Sequence, residues 1–93
     1  MNEQTASQIY NILIEECGAQ QDGREAFVQR QTDDHYPFEY RFCGALGFGG
    51  KFRRSSSRWY VTCYSEDKTP ERAAMIETAN QRLEKLRQEA NKE

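Results

Sequence analysis

The most strand-like segment of this 93-residue chain is Arg58-Trp59-Tyr60-Val61-Thr62-Cys63-Tyr64. Aromatic and β-branched residues dominate it, and both types favour strands. Trp59, Val61 and Cys63 occupy one set of alternate positions, and the two tyrosines lie on the other set. Because successive strand side chains point to opposite faces, the segment predicts a strand that buries Trp59 and presents tyrosines outward.

Two more strands are predicted upstream of this segment. Residues 38–43 alternate cleanly, and residues 48–54 place Phe48 and Phe52 on one side with Lys51 and Arg53 on the other. A glycine-rich segment, 44–50, separates the two strands, and we expect Leu46 or Phe48 to reach the core from it. Three serines at 55–57 provide the next turn. The order predicts a three-stranded antiparallel meander.

Helices flank the predicted sheet. Thr5-Ala6-Ser7-Gln8 matches a capping box with Thr5 at the N-cap, and apolar residues then recur every three to four positions, which predicts a helix over 4–17. Thr69-Pro70-Glu71 is an N-cap followed by proline at the first helical position, and it predicts a helix over 70–90.

Residues 22–31 fit two structures. Asp22-Gly23 could be a hairpin turn before a strand, or Asp22 could cap a short helix with Glu25 three residues later. Helix formers dominate the segment and strict alternation is absent, so we favour the helix. The chain is thus predicted to be one α+β domain, 1–93, in the order α-(α)-β-β-β-α, with the sheet packed against an N-terminal helix and a long C-terminal helix.

Composition narrows the class of protein. The mass of 10.9 kDa suits one small core, and no apolar run approaches 18 residues, so we expect no membrane partner. The opening residues lack a signal-peptide pattern, and the three cysteines form no C-x-x-C motif. We therefore expect a cytoplasmic protein with three reduced thiols.

Motifs for catalysis or cofactor binding are weak. The segment Gly44–Lys51 fails the phosphate-loop pattern, because the glycine-to-lysine spacing is too long and Phe52 stands where a serine or threonine belongs. Asp33-Asp34-His35 suits a solvated loop better than a metal site. We predict no catalytic residue, no metal and no cofactor, and therefore no enzyme.

Charge is distributed unevenly along the chain. The net charge is −2, yet residues 40–65 carry five basic residues and no acid, which leaves the remainder at −7. Such asymmetry points to an electrostatic partner.

The outward side of the predicted sheet combines these cations with tyrosines. We expect this side to bind a protein partner with an acidic patch, since tyrosine and arginine dominate interface hot spots. A single-stranded nucleic acid is the alternative, since rings stack bases while cations hold phosphates. Arginine–tyrosine stacking that merely solvates an open sheet is the third interpretation, and both a monomer and a homodimer stay open. The candidate binding residues are Arg41, Lys51, Arg53, Arg54, Arg58, Tyr60 and Tyr64.

Parts of the chain resemble known families. The order helix, three strands, helix is similar to that of the double-stranded-RNA-binding domain. That family has lysines at the start of its last helix, whereas the matching segment of this chain, Glu66–Arg72, is mostly acidic. About a quarter of the chain, within 47–72, resembles small uncharacterised proteins of temperate phages and prophages, which implies a mobile-element setting and no particular activity. The matching segments are Gly47-Phe48-Gly49-Gly50-Lys51-Phe52, Arg58-Trp59-Tyr60-Val61-Thr62-Cys63-Tyr64 and Thr69-Pro70-Glu71-Arg72.

Overall fold

Two helices, three strands and a third helix follow one another along the chain, in the order that the sequence predicts. A computed structural model of the chain describes residues 1–33, 39–47, 49–64 and 68–91. Within these residues the elements are α1 (Glu3–Cys17), a 3₁₀ turn (Gln21–Gly23), α2 (Arg24–Thr32), β1 (Glu39–Cys43), a second 3₁₀ turn (Ala45–Gly47), β2 (Gly49–Arg54), β3 (Trp59–Cys63) and α3 (Pro70–Ala90). The fold is α+β, the meander is confirmed, and the ambiguous segment 22–31 is helical, because the first 3₁₀ turn leads directly into α2.

Helix starts follow the predicted capping logic at only one of three places. Thr69 caps α3 as expected, accepting from the backbone N–H of Arg72 at 3.2 Å. Asn2, and not Thr5, caps α1: its Oδ1 accepts from the Thr5 N–H at 2.7 Å. The helix therefore begins at Glu3, one residue before the predicted start. Gly23 occupies the N-cap of α2, where the preceding 3₁₀ turn takes up Asp22 and no side chain caps the helix.

The sheet has strand order β1-β2-β3, with both pairs antiparallel. Tyr40, Phe52 and Val61 lie opposite one another across it and are all buried, as the alternation predicts. Trp59 is buried as well, and Cys63 is half-buried. Phe48, also predicted to point inward, lies outside the described residues, as do Asp34 and His35 of the predicted loop.

An aromatic cluster joins α1 and α2 to the inner face of the sheet. The Phe27 ring centroid lies 5.1 Å from that of Tyr10, 5.0 Å from Tyr40 and 5.4 Å from Phe52. Such tilted and edge-on pairs contribute about 0.5–1.5 kcal/mol each beyond the area that they bury. The Tyr10 and Tyr40 hydroxyls donate to the carbonyls of Gln20 and Gly23, so the cluster also holds the segment before α2.

Leu46, one of the two residues expected to reach the core from the connection between β1 and β2, does not do so, and the other, Phe48, lies outside the described residues. Leu46 adopts a left-handed conformation (φ 61°) and is 58% exposed, while its carbonyl accepts from the Arg72 guanidinium of α3. Gly50 serves packing, because a Cβ there would stand 2.4 Å from Cζ of Phe42, its partner across the strands. Glycine at 50 therefore leaves room for the end of the Phe42 ring against β2.

The side chain of Asn80 on α3 hydrogen-bonds the edge of β3. Asn80 Oδ1 accepts from the Val61 N–H at 2.6 Å, and Asn80 Nδ2 donates to the Val61 carbonyl at 3.3 Å. The amide thus satisfies backbone groups that an edge strand would otherwise offer to another chain. Ala79 and Leu83 of α3 are fully buried in the same core as Trp59. Among the described helices, none has the length and apolarity to cross a membrane.

Replacing Trp59 by alanine should lower the free energy of unfolding by about 3–5 kcal/mol, because a large buried ring would leave a cavity between the sheet and α3. Urea unfolding followed by far-UV circular dichroism measures this. Trp59→Phe, which keeps much of the apolar volume, should lose less. A loss below about 1 kcal/mol for Trp59→Ala, the level of an ordinary surface substitution, would contradict the burial.

Alkaline pH should destabilise the fold through Cys17. Burial raises the pKa of the Cys17 thiol to about 12, and the side chain is fully buried. The unfolded chain loses this proton near pH 8.5 while the folded chain keeps it, so stability falls as the pH rises above that value, by up to about 1.4 kcal/mol per pH unit.

Urea unfolding of the reduced protein from neutral to alkaline pH measures this slope. Cys17→Ala should flatten it, although the variant is less stable at neutral pH because it lacks the buried sulfur. Cys43→Ala, which removes an exposed thiol, is the matched control and should keep the wild-type slope. Equal slopes in all three proteins would show that another group is responsible.

Candidate functional site

The side of the sheet opposite the core carries charged and aromatic residues in rows across the strands. We call this surface the outer face; its charged, hydroxyl and aromatic members are Glu39, Arg41, Lys51, Arg53, Arg58, Tyr60, Thr62 and Tyr64. Strand register places Arg53 between Glu39 and Tyr60, and Lys51 between Arg41 and Thr62. The predicted outward residues are therefore brought together on one surface.

Glu39 organises the arginines at one end of the outer face. Its Oε2 accepts from Arg53 Nε at 2.8 Å, and its Oε1 lies 3.6 Å from Arg41 Nε. The hydrogen bond from Arg53, assisted by the charges of Arg53, Lys51 and Arg41, lowers the pKa of Glu39. Arg41 and Arg53 still have 70% and 51% of their side chains exposed, so both remain accessible to a partner.

Both outer-face tyrosines already hold a cation against the ring. The Arg58 guanidinium lies 4.1 Å from the Tyr60 ring centroid, and Lys51 Nζ lies 4.8 Å from that of Tyr64. Cation–π contacts at exposed sites contribute about 0.5–1 kcal/mol each. They also order two long side chains, so the cations are positioned before any partner arrives.

Arg54 is the predicted binding residue that the structure separates from the outer face. It lies opposite Trp59 in the register and is half-buried, and its Nε donates to Gln31 Oε1 of α2 at 2.8 Å. Gln31 is 2% exposed, so this bond satisfies a buried amide. Arg54 follows Phe52 by two positions, which puts both on the same side of β2.

Arg58 is placed by the turn between β2 and β3, where the three predicted turn serines lie. Ser55 Oγ accepts from the Arg58 N–H at 3.1 Å, and the Ser55 N–H donates to the Arg58 carbonyl at 2.8 Å. These bonds close the turn and fix the position from which Arg58 reaches over Tyr60.

The start of β1 and this turn enclose a concavity of about 790 Å³, which we call the arginine pocket. Five arginines line it together with one carboxylate, that of Glu39, and the hydroxyl residues Ser55, Ser57 and Tyr60. Sequence analysis missed Arg30, which comes from α2 and lies 5.4 Å from the Tyr40 ring. No local pattern marks it, because its position depends on how α2 packs. The five arginines are Arg30, Arg41, Arg53, Arg54 and Arg58.

The cysteines and the acidic side chains are the remaining groups with ligand chemistry in the described residues. Cys17, Cys43 and Cys63 are free thiols, and they are respectively buried, exposed and half-buried. Within residues 1–33, 39–47, 49–64 and 68–91, no three histidine, cysteine or acidic side chains meet as a metal site would require. Asp34 and His35 lie outside these ranges.

No family model, curated protein or solved structure matches this chain.

The Glu39 carboxyl should titrate below the normal glutamate range, because its hydrogen bond from Arg53 stabilises the ionised form. Carbon-detected NMR of side-chain carboxyls measures the midpoint directly. In Arg53→Gln the midpoint should rise, whereas Arg82→Gln, on α3, should leave it unchanged. A normal Glu39 midpoint in the wild type would mean that the Glu39–Arg53 bond does not form in solution.

Proposed function

We propose that this chain is a non-enzymatic accessory protein that binds the acidic surface of a partner protein through its outer face. The observation that carries the proposal is the collection of ordered, exposed cations on one side of the sheet, while the chain outside residues 40–65 has a net charge of −7. The resemblance to phage proteins supports a setting in a mobile element, and the reduced thiols fit the cytoplasm.

Long-range electrostatics favour this mode of binding. A molecule with a basic face and an acidic body is oriented as it approaches a negative surface, which speeds association and disfavours wrong orientations. Arginine and tyrosine are also the residues most often found at interface hot spots. Tyr64, 40% exposed beside Lys51, offers an aromatic surface next to a cation.

A single-stranded nucleic acid remains the second candidate, because a sheet face with tyrosines and cations is a known platform for base stacking. Two observations count against it. Arg58 and Lys51 occupy positions over the tyrosine rings where bases would stack. The acidic remainder of the molecule would also repel the rest of a polyanion.

Fluorescence anisotropy with two labelled probes tests the proposal: an oligo-glutamate peptide and a single-stranded oligonucleotide of equal net charge. We expect the peptide to bind at low salt, with affinity falling as salt rises. Lys51→Glu should weaken peptide binding by about 1 kcal/mol, because it reverses a charge on the outer face. Lys85→Glu, an equal change at an exposed position on α3, should have little effect.

Tighter binding of the oligonucleotide would favour the second candidate. Five phosphate contacts predict a log–log salt slope of roughly −3.5 on single strands. Tyr60→Ala and Tyr64→Ala would then each lose about 1–3 kcal/mol through lost stacking. Binding of neither probe at low salt, or equal losses in Lys51→Glu and Lys85→Glu, would reject the outer face as a binding surface.

A further inference from the structure

We propose that the arginine pocket is a phosphate site, which receives the phosphomonoester group of a phosphorylated side chain on the partner protein. This inference rests on the proposed function and names the group that the outer face recognises at one end. Its basis is the convergence of arginines from α2, β1, β2 and the following turn on a single concavity.

The charge of the pocket matches a dianion better than a carboxylate. The residues that line it carry five guanidinium groups and one carboxylate, a formal sum of +4, of which Arg41, Arg53, Arg58 and Glu39 by themselves give +2. A glutamate of the partner would offset one charge, whereas a phosphomonoester brings close to two charges and three strong acceptor oxygens near neutral pH. Guanidinium groups pair with such oxygens in a planar, two-pronged geometry.

Contacts within the molecule order three of the pocket arginines. Arg53 is held at Nε by Glu39, Arg54 at Nε by Gln31, and Arg58 across its face by Tyr60. Arg41 and Arg53 keep 70% and 51% of their side chains exposed, so a phosphate group can reach them. Because the side chains are ordered beforehand, less conformational entropy is lost when an anion binds.

The turn adds neutral groups to the same concavity. The Ser55 hydroxyl already donates to the Arg58 carbonyl at 3.3 Å, so the hydroxyls of Ser57 and Tyr60 are the neutral groups that the lining offers. Arginine clusters are typical of sites that recognise phosphorylated peptides. A nucleic acid spreads single negative charges along a strand, whereas this pocket concentrates cations at one point, which favours the phosphopeptide.

Peptides of one sequence with phosphoserine, phosphotyrosine, glutamate or serine at the central position test the inference by fluorescence anisotropy. At least one phosphopeptide should bind about tenfold tighter than the glutamate peptide, because of its second charge and third oxygen. Inorganic phosphate should compete with it, and binding of free phosphate alone, with no gain for either phosphopeptide, would overturn the peptide assignment.

Matched variants show which residues are responsible for the tighter binding of the phosphopeptide. Arg41→Gln/Arg58→Gln, which removes two exposed pocket arginines, should abolish the advantage of phosphate over glutamate. Arg82→Gln/Lys85→Gln, which removes the same charge from α3, should preserve it. Circular dichroism of each variant checks that the fold is intact. If the glutamine pair unfolds, Arg41→Lys/Arg58→Lys replaces it, because lysine keeps the charge but lacks the planar geometry of the guanidinium.

The two proposals fail in different ways. Lys51 lies outside the pocket, so Lys51→Glu should weaken all peptides while the ratio of phosphopeptide to glutamate peptide stays the same. Suppose that the glutamate peptide binds and that Lys51→Glu weakens it, but that neither phosphopeptide binds more tightly than the glutamate peptide. This result would overturn the phosphate site and leave the proposed function standing. Failure of every peptide to bind would overturn both.

Discussion

The packing of Phe27 against Tyr10, Tyr40 and Phe52 is the interaction on which the rest of the structure depends. It attaches α1 and α2 to β1 and β2 and thereby determines which side of the sheet is buried. A strand has only two sides, so burying Tyr40 and Phe52 forces Arg41 and Arg53 to the other one. The outer face is thus a direct consequence of the aromatic core.

Collecting cations on one side of a small domain is electrostatically unfavourable, and the structure limits the repulsion locally. Glu39 lies between Arg41 and Arg53, and the faces of Tyr60 and Tyr64 interact with Arg58 and Lys51. These contacts are exposed and individually weak. They hold the side chains in place without removing their charge, which is the state that suits binding of an anion.

The arginine pocket and the attachment of α3 both arise where elements distant in sequence meet. Gln31 and Arg30 are neighbours on α2, yet Gln31 turns inward to Arg54 while Arg30 reaches the pocket beside Tyr40. Asn80 covers the Val61 edge of β3, so α3 supports the sheet and blocks strand pairing there at the same time.

The sequence by itself determined α1, α3, the three strands, their order and the side of each strand that is buried, because alternation and helical spacing are local consequences of backbone geometry. It left residues 22–31 open between a strand and the helix that forms there. It also showed that residues 40–65 contain five basic residues and no acid. Only the tertiary structure decided which of them act together. Arg54 leaves the outer face for Gln31, Arg30 joins the pocket from α2, and Asn2 replaces Thr5 as the first cap. Contacts between residues far apart along the chain depend on how helices settle on the sheet, and no short-range pattern encodes that.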